Sequence, residues 1–524
     1  MITPVGLSEK MNDKFRRQRG LVDQERVSNL KILVSGSSGG VSDLLVLLSQ
    51  FGIGQESGFI GVLQPNVLPD SVFWKLTFPN ANRWEDWVQD SPQFRQTFSS
   101  LKESEHLSFD YHLCLNPSHA IQHADLYGYA RGVRAKISRQ PLNPPPSLTE
   151  HVLTPSMRVA VAATMLQQML RDADCMAHMK ISDAWFTVTC RVESTDFEEV
   201  RKHITGIDGT LVDVQLTSDG HATLARYRPS NQPNLSPFDF LSRTIQSSQK
   251  QLSVSDDLGL IPWNAPVEVF DSSWSLSGHD IVLLGAGGLG SWSAPLLVEQ
   301  MEEGTIHVVD GDAEIELHNL NRQVLYNVTH IGSMKALTAA QQLQLLNPNI
   351  HVESYFEFLT PHHLVQEDFD SDEEFDDLGL EPSLLFDALS KSSIYLACLD
   401  NMVARTILNE SAINNGRIMV NGATEALHGV VETFGHKGCM VCRYGKENAR
   451  SSEVISCTEE GIRPIASIVT STAWVGSMMA LLTMMNLNPN YKDRNFRGTW
   501  FEGQIEQFAP TQPPWFDEPC KYHI

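Results

Sequence analysis

Residues 279–301, HDIVLLGAGGLGSWSAPLLVEQM, decide the fold. An apolar run of strand length leads into a glycine-rich turn and then an apolar run of helix length. Gly285-Ala286-Gly287-Gly288-Leu289-Gly290 satisfies G-x-G-x-x-G. In that pattern Gly285, Gly287 and Gly290 permit a tight turn and bring backbone N–H groups up to a phosphate at the positive end of a helix. Asp310 closes the next strand candidate, TIHVVDGD at 305–312, twenty residues beyond Gly290, where an acid can hold ribose hydroxyls. A dehydrogenase would show both features. They indicate a nucleotide without naming it.

The run at 318–348, HNLNRQVLYNVTHIGSMKALTAAQQLQLLNP, narrows the choice, because it places Arg322 and Lys335 just after the ribose acid. Two fixed cations suit a triphosphate that must be polarised at its α-phosphorus. Without the glycine loop they would read as surface charges. Asp400 ends the apolar strand candidate in IYLACLDN, 394–401. A carboxylate at a strand's C-terminal edge can hold Mg²⁺ on phosphates, and the alternative is an N-cap for a helix starting near Met402.

Further out, the same strand-turn-helix order occurs in LKILVSG, SSGGV and SDLLVLLSQFG (30–52), with FIGVL (59–63) and FDYHLCLN (109–116) as later strands. A proline-rich linker at 140–151 precedes a helical stretch at 155–174. Short strands in AWFTVTCRVE, TLVDVQL and HATLARYRP, with a helix over 196–204, predict a small α+β module. The expected fold class is α/β: two doubly wound Rossmann-like domains, 1–175 and 271–524, with the α+β module and a linker at 176–270 between them. The acidic run at 367–379 reads as a solvated loop.

Across 524 residues, 39 Lys and Arg stand against 63 Asp and Glu, a formal charge of −24. Such an excess disfavours nonspecific nucleic-acid and anionic-membrane binding, although a nucleotide needs only a local cluster of cations. Neither a signal-peptide core nor a run of about 18 uncharged apolar residues is seen, so a cytoplasmic location is expected.

With these motifs in order, the second half resembles the ubiquitin-activating-enzyme superfamily, which includes the molybdopterin and thiamine-pathway adenylyltransferases. The resemblance continues through CLDN (398–401), NGATEALHGVVETF (421–434) and SCTEEGIRPIASIVTSTAWVGSMMALLTMM (456–485), and covers nearly all of 271–524. It implies ATP and Mg²⁺ as cofactors. Asp310 would bind the ribose, Asn319, Arg322, Gln323 and Lys335 the nucleotide, and Asp400 the metal.

The first half resembles the same family in weakened form. Its loop, Gly36-Ser37-Ser38-Gly39-Gly40-Val41, lacks the second and third fingerprint glycines. Ser38 would impede a pyrophosphate and Val41 would crowd the helix against the sheet. Gln64 replaces the ribose acid and Asn116 the metal aspartate. The resemblance implies an inactive half that pairs with an active one and sends Arg17, beside Arg16, across to the ATP. A flexible polar arm is the alternative.

Cys439 and Cys442 form C-x-x-C, and Cys520 and His523 form a distant C-x-x-H. The two pairs suit a structural tetrahedral Zn²⁺, and the family carries paired-cysteine knuckles here. Redox chemistry or chance would also explain a lone C-x-x-C. Cys457 stands at the position of the family's thiol on a loop crossing near the active site, which implies thioester capture, against an unreactive loop cysteine. Cys114, Cys175, Cys190 and Cys398 lie in strand or helix runs and read as core.

The resulting expectation is ATP-dependent adenylation of the C-terminal carboxylate of a ubiquitin-like protein ending in glycine, then thioester formation on Cys457 and transfer to a conjugating enzyme. A homodimer is compatible with it. Adenylation for sulfur transfer, or of a peptide, without a thioester is the runner-up. A nucleotide-binding scaffold and an oxidoreductase are the readings from other classes. Intact Arg322, Lys335 and Asp400 oppose the scaffold, and the NLNRQ run opposes the oxidoreductase.

Overall fold

The computed structural model of the chain describes most of residues 14–176, three strands and a short stretch between 186 and 229, residues 274–360, and most of 384–444 and 467–510. In the first half, β1 (Lys31–Gly36), β2 (Phe59–Leu63), β3 (Arg95–Phe98), β4 (Tyr111–Leu115), β5 (Leu126–Arg131) and β6 (Arg134–Ser138) form one sheet in the order β3-β2-β1-β4-β5-β6. Every neighbouring pair is parallel except β5 and β6. Ile32, Leu33 and Val34 of the central strand are buried in succession, as in a sheet covered on both faces. Helices α1 (Ser38–Phe51) and α2 (Thr154–Asp172) belong to this half.

Strands β7 (Phe186–Cys190), β8 (Gly209–Leu216) and β9 (Thr223–Pro229) form a separate antiparallel sheet in the order β7-β9-β8, where short strands are expected.

The second half contains β10 (His279–Leu284), β11 (Gly304–Val309), β12 (His351–Tyr355), β13 (Ile394–Ala397), β14 (Ile418–Glu425), β15 (His428–Phe434), β16 (Phe496–Phe501) and β17 (Gln504–Pro510). They lie in the order β12-β11-β10-β13-β14-β15-β16-β17, parallel as far as β14 and antiparallel beyond it. The first six repeat the strand order of the first half, including the reversal at the last pairing. Its helices include α3 (Gly290–Glu299), α4 (Lys335–Leu346), α5 (Met402–Asn414) and α6 (Val469–Leu487).

The two halves meet through α2 and α6. Each has 19 residues, and nearly all of them are buried, because each helix packs on the other as well as on its own sheet. A helix buried on every side needs no polar face. Thr470 Oγ1 donates to Gln167 Oε1 at 2.7 Å and Trp500 Nε1 to Thr164 Oγ1 at 3.2 Å, so both crossings are hydrogen-bonded. Trp500 also stacks on Trp474 with ring centroids 6.1 Å apart. One continuous apolar core runs through both halves. Among the described residues no helix is long and apolar enough to cross a membrane.

The degenerate loop departs from expectation. Gly36 has φ +131°, and a Cβ there would lie 1.8 Å from Leu115 O, so glycine is required. Helix α1 starts two residues after Gly36, capped by Ser37, whose Oγ accepts the Gly40 N–H at 3.1 Å, whereas α3 starts five residues after Gly285. This earlier start moves the close-packing position to Gly40, whose Cβ would lie 2.6 Å from Leu115 O. Val41 does not crowd the sheet. It is simply part of the core.

A shared core predicts shared unfolding. Trp500→Ala should cost about 3–5 kcal/mol by urea denaturation, and both halves should lose structure in one transition. Two separated transitions would refute the shared core.

Candidate functional site

Strand β10 pairs with β11 on one side and β13 on the other, so the turns after all three strands open at one edge of the sheet. That edge is where doubly wound sheets bind ligands. Gly285 has φ +93°, with a would-be Cβ 2.4 Å from Cys398 O, and a Cβ on Gly290 would lie 2.1 Å from Gly285 O. Both glycines are demanded by the fold itself. Gly287 is different: its nearest obstacle would be Gln323 Nε2 at 3.7 Å. Packing does not need that glycine, and its absent side chain leaves room beside Gln323. The Gln323 Oε1 atom is buried without a hydrogen-bond partner, a condition that favours a polar group entering this space.

Asp310 Oδ2 accepts the Ala286 N–H at 2.7 Å, and Oδ1 accepts the Asp312 N–H at 2.9 Å, which ties the acid to the glycine loop. Burial raises its pKa, and Lys335 pulls the other way. Lys335 is the buried first residue of α4 and pairs with Asp312. Arg322 is buried too, and its Nη1 donates to His318 O at 2.8 Å and to Asn321 Oδ1 at 3.0 Å. Asn319 Oδ1 accepts the Glu316 N–H at 2.9 Å.

Asp400 lies exposed just beyond β13. Its neighbour Asn401 caps α5, accepting the Ala404 N–H at 2.8 Å, so the capping alternative for Asp400 is already filled. Buried Arg405 braces this turn by donating to Leu399 O, Asn421 Oδ1 and Gly422 O. The sequence reading passed over Arg405, although its place one helical turn after Asn401 was available as a signal.

The first half reaches this site. Residues Arg16–Gln18 form a short 3-10 turn with Arg17 and Gln18 buried. Arg16 Nη2 lies 3.0 Å from His318 Nδ1 and 3.7 Å from Glu316 Oε2. Asn321 Nδ2 donates to Gln18 Oε1 at 3.3 Å, and the Ser467 N–H donates to Arg17 O at 2.9 Å. The flexible-arm alternative therefore does not describe residues 14–18. His318, another residue the sequence reading passed over, reports the convergence. Its pKa falls to about 3 through burial and then the charges of Arg322, Arg16, Arg17 and Lys335.

The corresponding place in the first half is filled by protein. The Arg158 guanidinium, from α2, has its Cζ 2.5 Å from where a Gly39 Cβ would stand, and its Nε donates to Asp43 Oδ2 at 2.5 Å. Asn116 holds φ +51°, and its amide donates to Ala130 O at 3.0 Å while accepting the Ala130 N–H at 2.7 Å. Where a metal acid is expected stands a brace for β5. Gln64 lies outside the described residues.

Cys439 and Cys442 have their sulfurs 3.5 Å apart, and the Cys442 N–H donates to Cys439 Sγ at 3.4 Å. A tetrahedral zinc with bonds of about 2.3 Å separates its sulfurs by roughly 3.7–3.8 Å, so this pair fits half of such a site. Cys520 and His523, the other half, and Cys457 lie outside the described residues. Among the described residues no group of three or more His, Cys, Asp or Glu could hold a metal ion. Burial pushes the thiols of Cys114 and Cys175 up to about 11 and that of Cys398 to about 12, in keeping with unreactive core. The Cys190 side chain is outside the described residues.

The sequence pattern of the ThiF family matches residues 271–514. The chain is 32% identical over 214 residues to the sulfur carrier protein adenylyltransferase of Thermus thermophilus, covering 39% of this chain and 68% of that one. It is 29% identical over 219 residues to adenylyltransferase and sulfurtransferase UBA4 of Candida glabrata (41% of this chain, 44% of that one). To UBA4 of Vanderwaltozyma polyspora it is 25% identical over 290 residues (55% and 57%). The chain thus spans about half the length of these two yeast relatives. The matched region carries the glycine loop, the buried cations and Asp400, and the chain belongs to the ThiF family, among the adenylyltransferases related to the ubiquitin-activating enzymes.

Proposed function

We propose that the second half adenylates the C-terminal carboxylate of a small sulfur-carrier or ubiquitin-like protein with Mg–ATP, and that the first half contributes its arginine arm rather than a second site. The observation that carries this reading is the gathering of Arg322, Lys335, Arg16 and Arg17 around His318, beside the glycine loop. Three of these cations, Arg322, Lys335 and Arg17, are buried, and buried cations at an opening edge suit an anion of high charge. The domain division that goes with it is 1–175, 176–270 and 271–524.

In this reaction the carboxylate oxygen attacks the α-phosphorus and pyrophosphate leaves. Arg322, Lys335 and Arg17 offset the negative charge that grows on the phosphates. Asp310 holds the ribose, Asn319 and Gln323 contact the nucleotide, and Gly287 gives the phosphates room. Asp400 would hold Mg²⁺, which neutralises phosphate charge when bound. Because arm and site belong to one chain, a homodimer is not needed to complete the site. ATP–pyrophosphate exchange, run with small proteins ending in glycine, tests the proposal. Asp400→Ala should slow exchange by about 100-fold or more, and Arg17→Ala should slow it with a smaller change in ATP affinity. Calorimetry should find one Mg–ATP per chain. Two equivalent sites, or exchange untouched by Asp400→Ala, would sink the assignment.

Beyond adenylation, the Cys457 thiolate would attack the acyl adenylate and displace AMP, forming a thioester for transfer to a conjugating enzyme. The names of the relatives, which include sulfurtransferase and sulfur carrier protein adenylyltransferase, favour adenylation for sulfur transfer as a second reading. With ATP and carrier, the thioester route predicts an adduct that survives denaturing gels, disappears with excess thiol and is lost in Cys457→Ala, while pyrophosphate exchange continues. Exchange without any such adduct would select the second reading.

Cys439 and Cys442, with Cys520 and His523, would hold one structural Zn²⁺. Elemental analysis should return about one zinc per chain, with less metal and a lower melting temperature in Cys442→Ser. Zinc-free protein of unchanged melting temperature would exclude the site.

A further inference from the structure

One residue grips the arginines of both halves. His318 lies in the 3-10 turn Leu317–Asn319, and its carbonyl accepts from Arg322 Nη1 at 2.8 Å. Its ring is buried, with Nδ1 3.0 Å from Arg16 Nη2 and 2.6 Å from Glu316 Oε2. We propose that His318 is a positioning residue, whose imidazole holds the Arg16–Gln18 turn of the first half onto the Leu317–Asn319 turn of the second. The proposal rests on the adenylation reading only for its effect on nucleotide binding.

A neutral imidazole has one nitrogen that donates and one that accepts. With the proton on Nε2, Nδ1 accepts from Arg16. With the proton on Nδ1, the ring donates to Glu316, which itself faces Arg16 at 3.7 Å. The first ties the arm directly through Nδ1, the second only through Glu316. An imidazolium could not accept from Arg16 at Nδ1, and burial, then the charges of Arg322, Arg16, Arg17 and Lys335, lowers the ring's pKa to about 3. The arm also carries Arg17, whose carbonyl accepts the Ser467 N–H, and Gln18, which accepts from Asn321. Loosening Arg16 therefore loosens the turn that also carries these two contacts.

The test uses the full chain and native trypsin digestion, following cleavage after Arg16 and Arg17 by mass spectrometry, alongside calorimetry with Mg–ATP. His318→Leu, which keeps the bulk and removes both polar functions, should speed cleavage of the arm by about tenfold or more while global unfolding stays put. His318→Asn, whose amide both accepts and donates near the Nδ1 position, should remain within about threefold of wild type. A residue serving only to fill the core predicts the reverse order, with leucine tolerated and asparagine harmful. Arg16→Ala, scored by cleavage after Arg17, should loosen the arm to a similar degree. Combined with His318→Leu it should add little, since both remove one interaction. Mg–ATP affinity should weaken only modestly, in the same order as the arm loosens. Wild-type cleavage in His318→Leu, equal loosening in His318→Asn, or full additivity with Arg16→Ala would overturn the proposal. A wild type that fails to bind Mg–ATP would overturn the nucleotide reading instead, and the cleavage comparison would still decide the clamp.

Discussion

The packing of α2 on α6 is the contact on which the rest of the structure depends. Each helix is buried along nearly its whole length against the other and against its own sheet, so docking of the halves is what takes both out of water. Their docking brings the N-terminal turn of the first half against residues 316–321 of the second and puts Arg17 O within hydrogen-bonding distance of Ser467. Burial of the core is nondirectional, and the hydrogen bonds from Thr470 and Trp500 give it register. The polar junction at the site is a consequence of the apolar junction at the centre.

Duplication of topology has not kept the chemistry duplicated. Both halves retain the same strand order and a glycine that cannot be replaced at the end of the first strand, because that position is set by backbone approaching backbone. The divergence lies in what faces the loop. In the second half Gly287 opens onto Gln323, and buried Arg322 and Lys335 stand nearby. In the first half Arg158 already occupies the loop and has its own counterion in Asp43. A cation neutralised by a buried carboxylate has little left for a phosphate. The first half still supplies the Arg16–Gln18 turn and α2.

The acidic chain makes the cationic site more distinct. With a formal charge of −24, long-range attraction does little to collect anions, so an anion that binds here would depend on a few desolvated cations at short range. Arg322 donates to the His318 carbonyl and to the Asn321 amide oxygen. Lys335 is paired with Asp312, whose side chain is half exposed and reaches solvent.

The sequence by itself determined what depends on neighbours in the chain. The glycine turn, the alternation of strands and helices, the acid after β11 and the cations of 318–335 are local patterns, and backbone geometry turns them into a doubly wound sheet wherever they occur. It also marked the first loop as degenerate, yet misplaced the consequence. Whether Val41 crowds the sheet depends on where α1 begins, and the Ser37 cap decides that. Tertiary structure alone decided the junctions. Arg16 and His318 are 302 residues apart in sequence, and no periodicity carries information over that distance. The brace from Arg405 and the plug from Arg158 were hidden for the same reason, since a buried arginine is recognised by the carbonyls and carboxylates that surround it. Those partners come together only when the helices pack.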